Sequence, residues 1–153
     1  EEVAAEYPDQ NFTIIDATVD LPNVRSVVEY ALTEIPAGQI WLGIPAYGYD
    51  WPLPFRQGET RATSISPQYA VSLARRYGVA IQYDETAQAP WFRYTDERGT
   101  AHEVWFEDAR SIAAKLSLIP EYGLSGAGYW NLMRPFAQNW LVLDSLFHIQ
   151  DPV

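Results

Sequence analysis

Apolar positions in this chain recur at two periods, and the switches between them predict the elements. Val24, Val27, Val28, Ala31, Leu32 and Ile35 repeat at helical spacing behind Pro22, a residue suited to a first helical turn; Pro36-Ala37-Gly38 ends that helix. Phe12–Ile15 before it and Ile40–Tyr47 after it read as strands. The second is almost wholly apolar from Ile40 to Ile44, as a parallel strand covered on both faces should be. Strand, helix, strand is a βαβ unit with a right-handed crossover. A polar, proline-bearing loop over 52–64 leads to Ser66-Pro67, an N-cap and first-turn proline, and a helix with Ala70, Leu73, Ala74 and Tyr77 on one face before Gly78.

Val79–Tyr83, Trp91–Thr95 and Thr100–Phe106 then predict an antiparallel meander, its last two strands joined by the Asp96–Gly99 loop. Asp108 caps a third helix through Leu116, Leu124–Trp130 is a glycine-bearing strand, and a last helix covers Asn139 to Phe147. Residues 1–11 read as a polar lead-in, and the opening Glu1-Glu2-Val3-Ala4 reads as the continuation of a longer protein.

Composition narrows the chemistry. The chain has 153 residues, room for one sizeable core, and its 48% hydrophobic content is that of a globular protein. Six Trp and ten Tyr must fill a core or line a surface that binds something flat. A net charge of −10 disfavours nucleic acid and anionic lipid, leaving neutral and amino-sugar polymers open. Without cysteine there is no disulfide or thiolate metal site, and His102 and His148 stand in no metal-binding spacing, so neither metal nor cofactor is expected. No apolar run approaches a membrane span, and no signal peptide is visible.

Two predicted strands end alike: Tyr47-Gly48-Tyr49-Asp50-Trp51 closes one, Tyr129-Trp130-Asn131 the other. Aromatic faces stack on sugar C–H faces and carboxylates accept hydroxyl hydrogen bonds, so clusters at the carboxyl ends of parallel strands point to one glycan cleft. The competing reading makes these aromatics core. Asp84-Glu85, Asp96-Glu97 and Glu107-Asp108 fall at strand ends, turns and a helix start, where caps favour carboxylates. Glu107, directly after a Trp-Phe strand end, is the one that also fits a cleft.

Gly43–Trp51, Ile65-Ser66, Tyr83-Asp84-Glu85, His102–Ser111, Gly128-Tyr-Trp130 and Gln138-Asn-Trp-Leu141 together carry a family resemblance over about residues 24–149. The chain resembles the C-terminal part of glycoside hydrolase family 18, in its branch of spore-germination N-acetylglucosaminidases that cleave peptidoglycan. That resemblance implies an α/β fold, the C-terminal portion of a TIM (β/α)8 barrel. Ile40–Tyr47 and Leu124–Trp130 become strands seven and eight, with a strand-six remnant before them. Residues 1–57 and 107–153 become the partial barrel and 58–106 an α+β insertion subdomain. It also implies that Tyr47, Tyr49, Asp50, Trp51, Glu107 and Trp130 bind an N-acetylglucosamine-containing glycan, Trp130 lying under the sugar at the cleavage point.

The departures are as informative. The DxxDxDxE motif that supplies the family's general acid is missing; Asp16-Ala-Thr-Val-Asp20 is the nearest string, without its glutamate. The family's strand-six tyrosine-aspartate pair is missing too. The resemblance therefore implies no catalytic residue in this chain and an inactive isolated chain. A partial barrel should leave Ile14, Leu42 and Ile44 to be covered, by self-association or by a missing N-terminal part. The family's substrates place such a protein outside the cytoplasm, at the cell wall or spore envelope.

Overall fold

The computed structural model describes residues 13–17, 20–131, 133–134 and 136–147. The lead-in over 1–11, Phe12 and His148 lie outside the described residues. Two sheets organise the chain. The first is three-stranded and parallel, in the order β1 (Thr13–Asp16), β2 (Ile40–Pro45), β8 (Gly126–Trp130). Trp41 faces Gly126, and Pro45 faces Trp130. The expected parallel pairing of the two apolar strands is therefore observed.

Helix α1 (Leu21–Leu32) makes the crossover from β1 to β2, its first turn fixed by the Asp20 carboxylate, which accepts from Asn23 N–H at 3.0 Å. Val24 and Val28 are fully buried, whereas Val27, expected on the same face, is 48% exposed. The apolar stripe is narrower than its spacing suggested: Val24 and Val28 are its buried positions, with Leu21, Ala31 and Leu32 partly buried against the same core.

Helices α3 (Ala109–Leu116), α4 (Leu118–Tyr122) and α5 (Ala137–Leu146) complete the first core, in which Ile15, Leu42 and Ile44 meet Ile112, Leu116 and Leu118. Leu42 and Ile44 are thus covered within the chain, which corrects the expectation that they await a partner. Alternation turns the other set of side chains to the opposite face, where Ile14 is 52% exposed and Trp41 lies open beside Gly126. The α4 turn, absent from the sequence reading, is short, carries Pro120, and stops at Gly123 with φ +65°. Helix α5 starts two residues earlier than expected.

The second sheet is five-stranded and antiparallel, in the order β4 (Thr63–Ile65), β3 (Gly48–Pro52), β7 (Ala101–Trp105), β6 (Ala89–Thr95), β5 (Gln82–Asp84). Helix α2 (Pro67–Arg76) packs on one face through Ala70, Leu73 and Ala74, against Phe92 and Val104. The strand expected from Val79 begins only at Gln82, because Val79 N–H is still bonded to Ala74 C=O at the end of α2.

A larger correction concerns residues 47–51. They do not close the parallel strand, which ends at Pro45; Gly48–Pro52 is a separate strand of the second sheet. Gly48 is the reason. A Cβ there would lie 2.4 Å from Trp105 O and 2.7 Å from Phe106 Cα, so only glycine lets the chain cross β7 at this point. The sequence-based division at 57 and 58 had left this strand with the barrel part; its hydrogen bonds join it to the antiparallel sheet.

Candidate functional site

The two sheets meet at a cleft of about 230 Å³ lined by Tyr47, Tyr49, Trp105, Phe106, Glu107 and Lys115, with Asp20 and Pro45 at its margins. Tyr47 reaches it two residues beyond the end of β2, Tyr49 from β3, Trp105 from β7, Glu107 from just before α3 and Lys115 from the last turn of α3. The Asp108 carboxylate caps that helix, accepting from Arg110 and Ser111 N–H at 2.9 and 3.0 Å, and Ser111 reciprocates with a capping-box bond. The cap holds Glu107, immediately before it, against the cleft.

Glu107 is 6% exposed, and its Oε1 accepts a hydrogen bond from the Lys115 ammonium, itself buried. Burial pushes the Glu107 carboxyl above the usual glutamate range, against the pull of Lys115. Burial also pushes the Tyr47 hydroxyl up to about 12, with Asp16, Tyr49 and Glu107 adding to the shift. At neutral pH Tyr47 is therefore a neutral donor and acceptor. Phe106 and Glu107 also line a broader hollow bordered by Pro67, Val71 and Ala137, so they form the partition between the two.

Trp130 is 71% exposed at the end of β8, beside Pro45, and the Trp130 carbonyl accepts from Ala46 N–H at 3.0 Å. The Trp130 side chain thus stands open to solvent at the same sheet end as Tyr47, outside the residues that line the cleft. Trp51 is farther out along the second sheet, its ring 6.1 Å from Tyr49 and 5.7 Å from Phe55. Asp50 is turned away. Strand alternation puts it on the α2 face, where Tyr94 Oη donates to Oδ2 at 2.7 Å and His102 Nδ1 lies 2.8 Å from Oδ1. The expectation that Asp50 faces a cleft with Tyr49 and Trp51 is corrected, since neighbours on one strand cannot share a face.

Asp84 and Asp96 organise backbone, whereas Glu97 pairs with the Arg76 guanidinium. Asp84 accepts from Thr86 and Ala87 N–H, and Asp96 from Arg98 and Thr100 N–H. Sequence reasoning missed Lys115, whose burial was readable from its place one turn beyond Ile112. It also missed Arg134, which donates to Ser64 Oγ and Ile65 C=O at 2.9 and 3.2 Å and stands 5.9 Å over the Tyr47 ring. That arginine ties the segment after β8 to β4, and nothing in its flanking residues signalled this. Among the described residues no helix is long and apolar enough to cross a membrane.

The fold is that of an α/β protein in which the chain leaves parallel strand β2 through an aromatic-lined cleft. Residues 9–134 match the Glycosyl hydrolases family 18, and the chain belongs to that family. It is 56% identical over 126 residues to the cortical fragment-lytic enzyme of Bacillus subtilis (strain 168), covering 82% of this chain and 29% of that one. The crystal structure of the spore cortex-lytic enzyme SleL from Bacillus megaterium QM B1551 superposes with a TM-score of 0.86 at 50% identity, over 94% of this chain and 35% of the other. A chitinase from Chromobacterium violaceum ATCC 12472 gives 0.79 at 28% identity, over 92% and 46%. The chain spans about 30% of the length of the curated cortical fragment-lytic relatives it matches.

Proposed function

We propose that this chain is the C-terminal part of a family 18 glycoside hydrolase acting on N-acetylglucosamine-containing glycans, spore cortex peptidoglycan or a chitin-like polymer. The reaction is substrate-assisted retaining hydrolysis, in which the sugar's own acetamido oxygen is the nucleophile. β2 and β8 are barrel strands seven and eight, and β1 is the strand-six remnant. Tyr47, Tyr49, Glu107 and Trp130 bind and orient the glycan: Trp130 stacks under a ring, and Tyr47 exchanges hydrogen bonds with it. The proton donor comes from outside these 153 residues, which contain no DxxDxDxE. The protein works outside the cytoplasm, at the wall or spore envelope.

The observation that most supports this reading is the exposed indole of Trp130, paired with Pro45 at the sheet end where Tyr47 enters the cleft, in a chain of this family. The test is titration of the chain with N-acetylglucosamine oligomers, followed by tryptophan fluorescence and by assay of released sugar. Weak binding without turnover is expected, since loss of a positioned general acid alone removes roughly 10²–10⁴-fold in rate. Supplying the N-terminal segment of a cortical fragment-lytic enzyme as a separate chain should restore cleavage. Turnover by the chain alone would sink the assignment of an external acid and turn attention to Glu103 and Glu107.

The absence of the acid motif also favours a second reading, a glycan-binding or structural relative that does not cut. Binding that persists while the added N-terminal segment restores no turnover selects it.

A further inference from the structure

Phe106 and Glu107 separate the cleft from the broader hollow, which has a volume of about 630 Å³ and lies where three helices begin. Pro67 and Gln68 start α2 on one side, Ala109 and Arg110 start α3 on another, and Ala137 and Gln138 start α5 on the third. A space of that size is within the range of small-molecule sites. Its walls are largely apolar: Phe106 and Phe136 are buried, while Val71 and Ile81 are exposed large hydrophobics.

The charged side chains in the lining already have their counter-ions. Glu107 is paired with Lys115, and Asp108 with Arg110 at 2.7 Å. The hollow therefore favours neither an anion nor a cation, and what it leaves unpaired is of another kind. Ser66 caps α2 and Asp108 caps α3, whereas no side chain caps α5. The Ala137 and Gln138 N–H groups fall in the first turn of α5, where a helix supplies no acceptor of its own. Independently, Glu107 Oε2 is buried with no hydrogen-bond partner among the described residues. Its Oε1 is taken by Lys115, which lines the cleft and not the hollow. A buried acceptor left in that state is costly.

We propose that the hollow takes a peptide branch carried by the glycan whose sugars occupy the cleft. The proposal rests on the glycan reading above and deepens it, selecting a peptide-bearing polymer, peptidoglycan, over a chitin-like one. A branch leaving a sugar in the cleft meets the hollow on the far side of the Phe106–Glu107 partition. Peptide amides answer both unpaired sites. Their C=O groups accept from the α5 N–H groups, and an N–H donates to Glu107 Oε2 once the carboxyl turns about its last, softly held torsion. Side chains of the branch bury apolar surface against Val71, Ile81 and Phe136. The acetamido group of a chitin-like chain brings no side chain for those walls.

The experiment titrates the full chain with a disaccharide of N-acetylglucosamine and N-acetylmuramic acid, bare or carrying a tripeptide on its lactyl group, and with the free tripeptide. Methyl NMR is the readout. The Val71 and Ile81 signals should shift with the peptide-bearing disaccharide and not with the bare one. The peptide should tighten binding by at least roughly two- to tenfold, the net worth of one hydrogen bond. Ala137→Pro removes one donor at a helix position that tolerates proline, and should reduce that gain while leaving the bare disaccharide unaffected. Val71→Glu, at an exposed position, should abolish the gain by filling the hollow; it carries the comparison if Ala137→Pro does not fold. Equal affinity with and without the peptide, or a gain that survives Val71→Glu, overturns the hollow and leaves the cleft reading standing. Free tripeptide binding as tightly as the conjugate, with the bare disaccharide not binding, overturns the cleft reading and with it the branch. Absence of binding by all three probes overturns both.

Discussion

Gly48 sits where the chain leaves one sheet for the other, with β7 backbone inside the space a side chain would need. Gly48→Ala therefore has no flexible neighbour to push aside. It should cost at least the roughly 1–3 kcal/mol typical of overpacking, read as a lower urea midpoint. Stability within a few tenths of wild type would show that the crossing is not tight. The Glu107–Lys115 pair is buried in the same region, and Lys115→Met should cost about 3–5 kcal/mol by stranding a carboxylate. The pH dependence follows from the raised Glu107 pKa. Above the unfolded glutamate value of about 4.3, the folded carboxyl holds its proton longer than the unfolded one. Its contribution to stability is therefore full at acidic pH and falls as pH rises through the folded value. A Glu107→Leu/Lys115→Met double variant lacks this dependence, so its stability relative to wild type should improve as pH rises above about 4.3. Parallel urea-unfolding curves across that range would contradict the assignment.

At the scale of elements, the β6–β7 hairpin is fastened to β3 through Asp50, whose two oxygens serve Tyr94 and His102. Asp50→Ala leaves both without that partner and should cost about 1–3 kcal/mol, the usual penalty for an orphaned buried polar group. It should leave the affinity for N-acetylglucosamine oligomers unchanged, because the carboxylate lies on the α2 face. Calorimetric unfolding paired with the oligomer titration checks both halves; lost binding in a folded variant would return Asp50 to the cleft. Period-two alternation in Tyr49-Asp50-Trp51 already separated Asp50 from its aromatic neighbours in the sequence. What hid the separation was the assumption that all five residues ended one strand.

Across the whole molecule, the parallel sheet is clothed on one side only. Ile14, Trp41 and Trp130 lie on the bare face, and among the described residues β1 and β8 are both edge strands. Open parallel edges and an uncovered apolar face are costly in water. Light scattering should show association that grows over micromolar concentrations. An added N-terminal segment of a cortical fragment-lytic enzyme should suppress that association and raise the melting temperature. A monodisperse monomer that ignores the segment would mean the face is tolerated bare.

Much of this protein was legible in its sequence because the signals are local. Helix starts follow from Pro22, from Ser66 beside Pro67 and from Asp108 before an apolar repeat, and strand β2 from its continuous apolar run. The family resemblance rested on short motifs in a fixed order and needed no contact information. Tertiary structure alone decided which sheet Gly48–Pro52 would join, since that turned on a steric clash with residues more than fifty positions away. The same holds for Lys115 reaching Glu107 and Arg134 reaching Ser64. A charged side chain's partner is set by where two elements pack, and spacing along the chain carries no record of that.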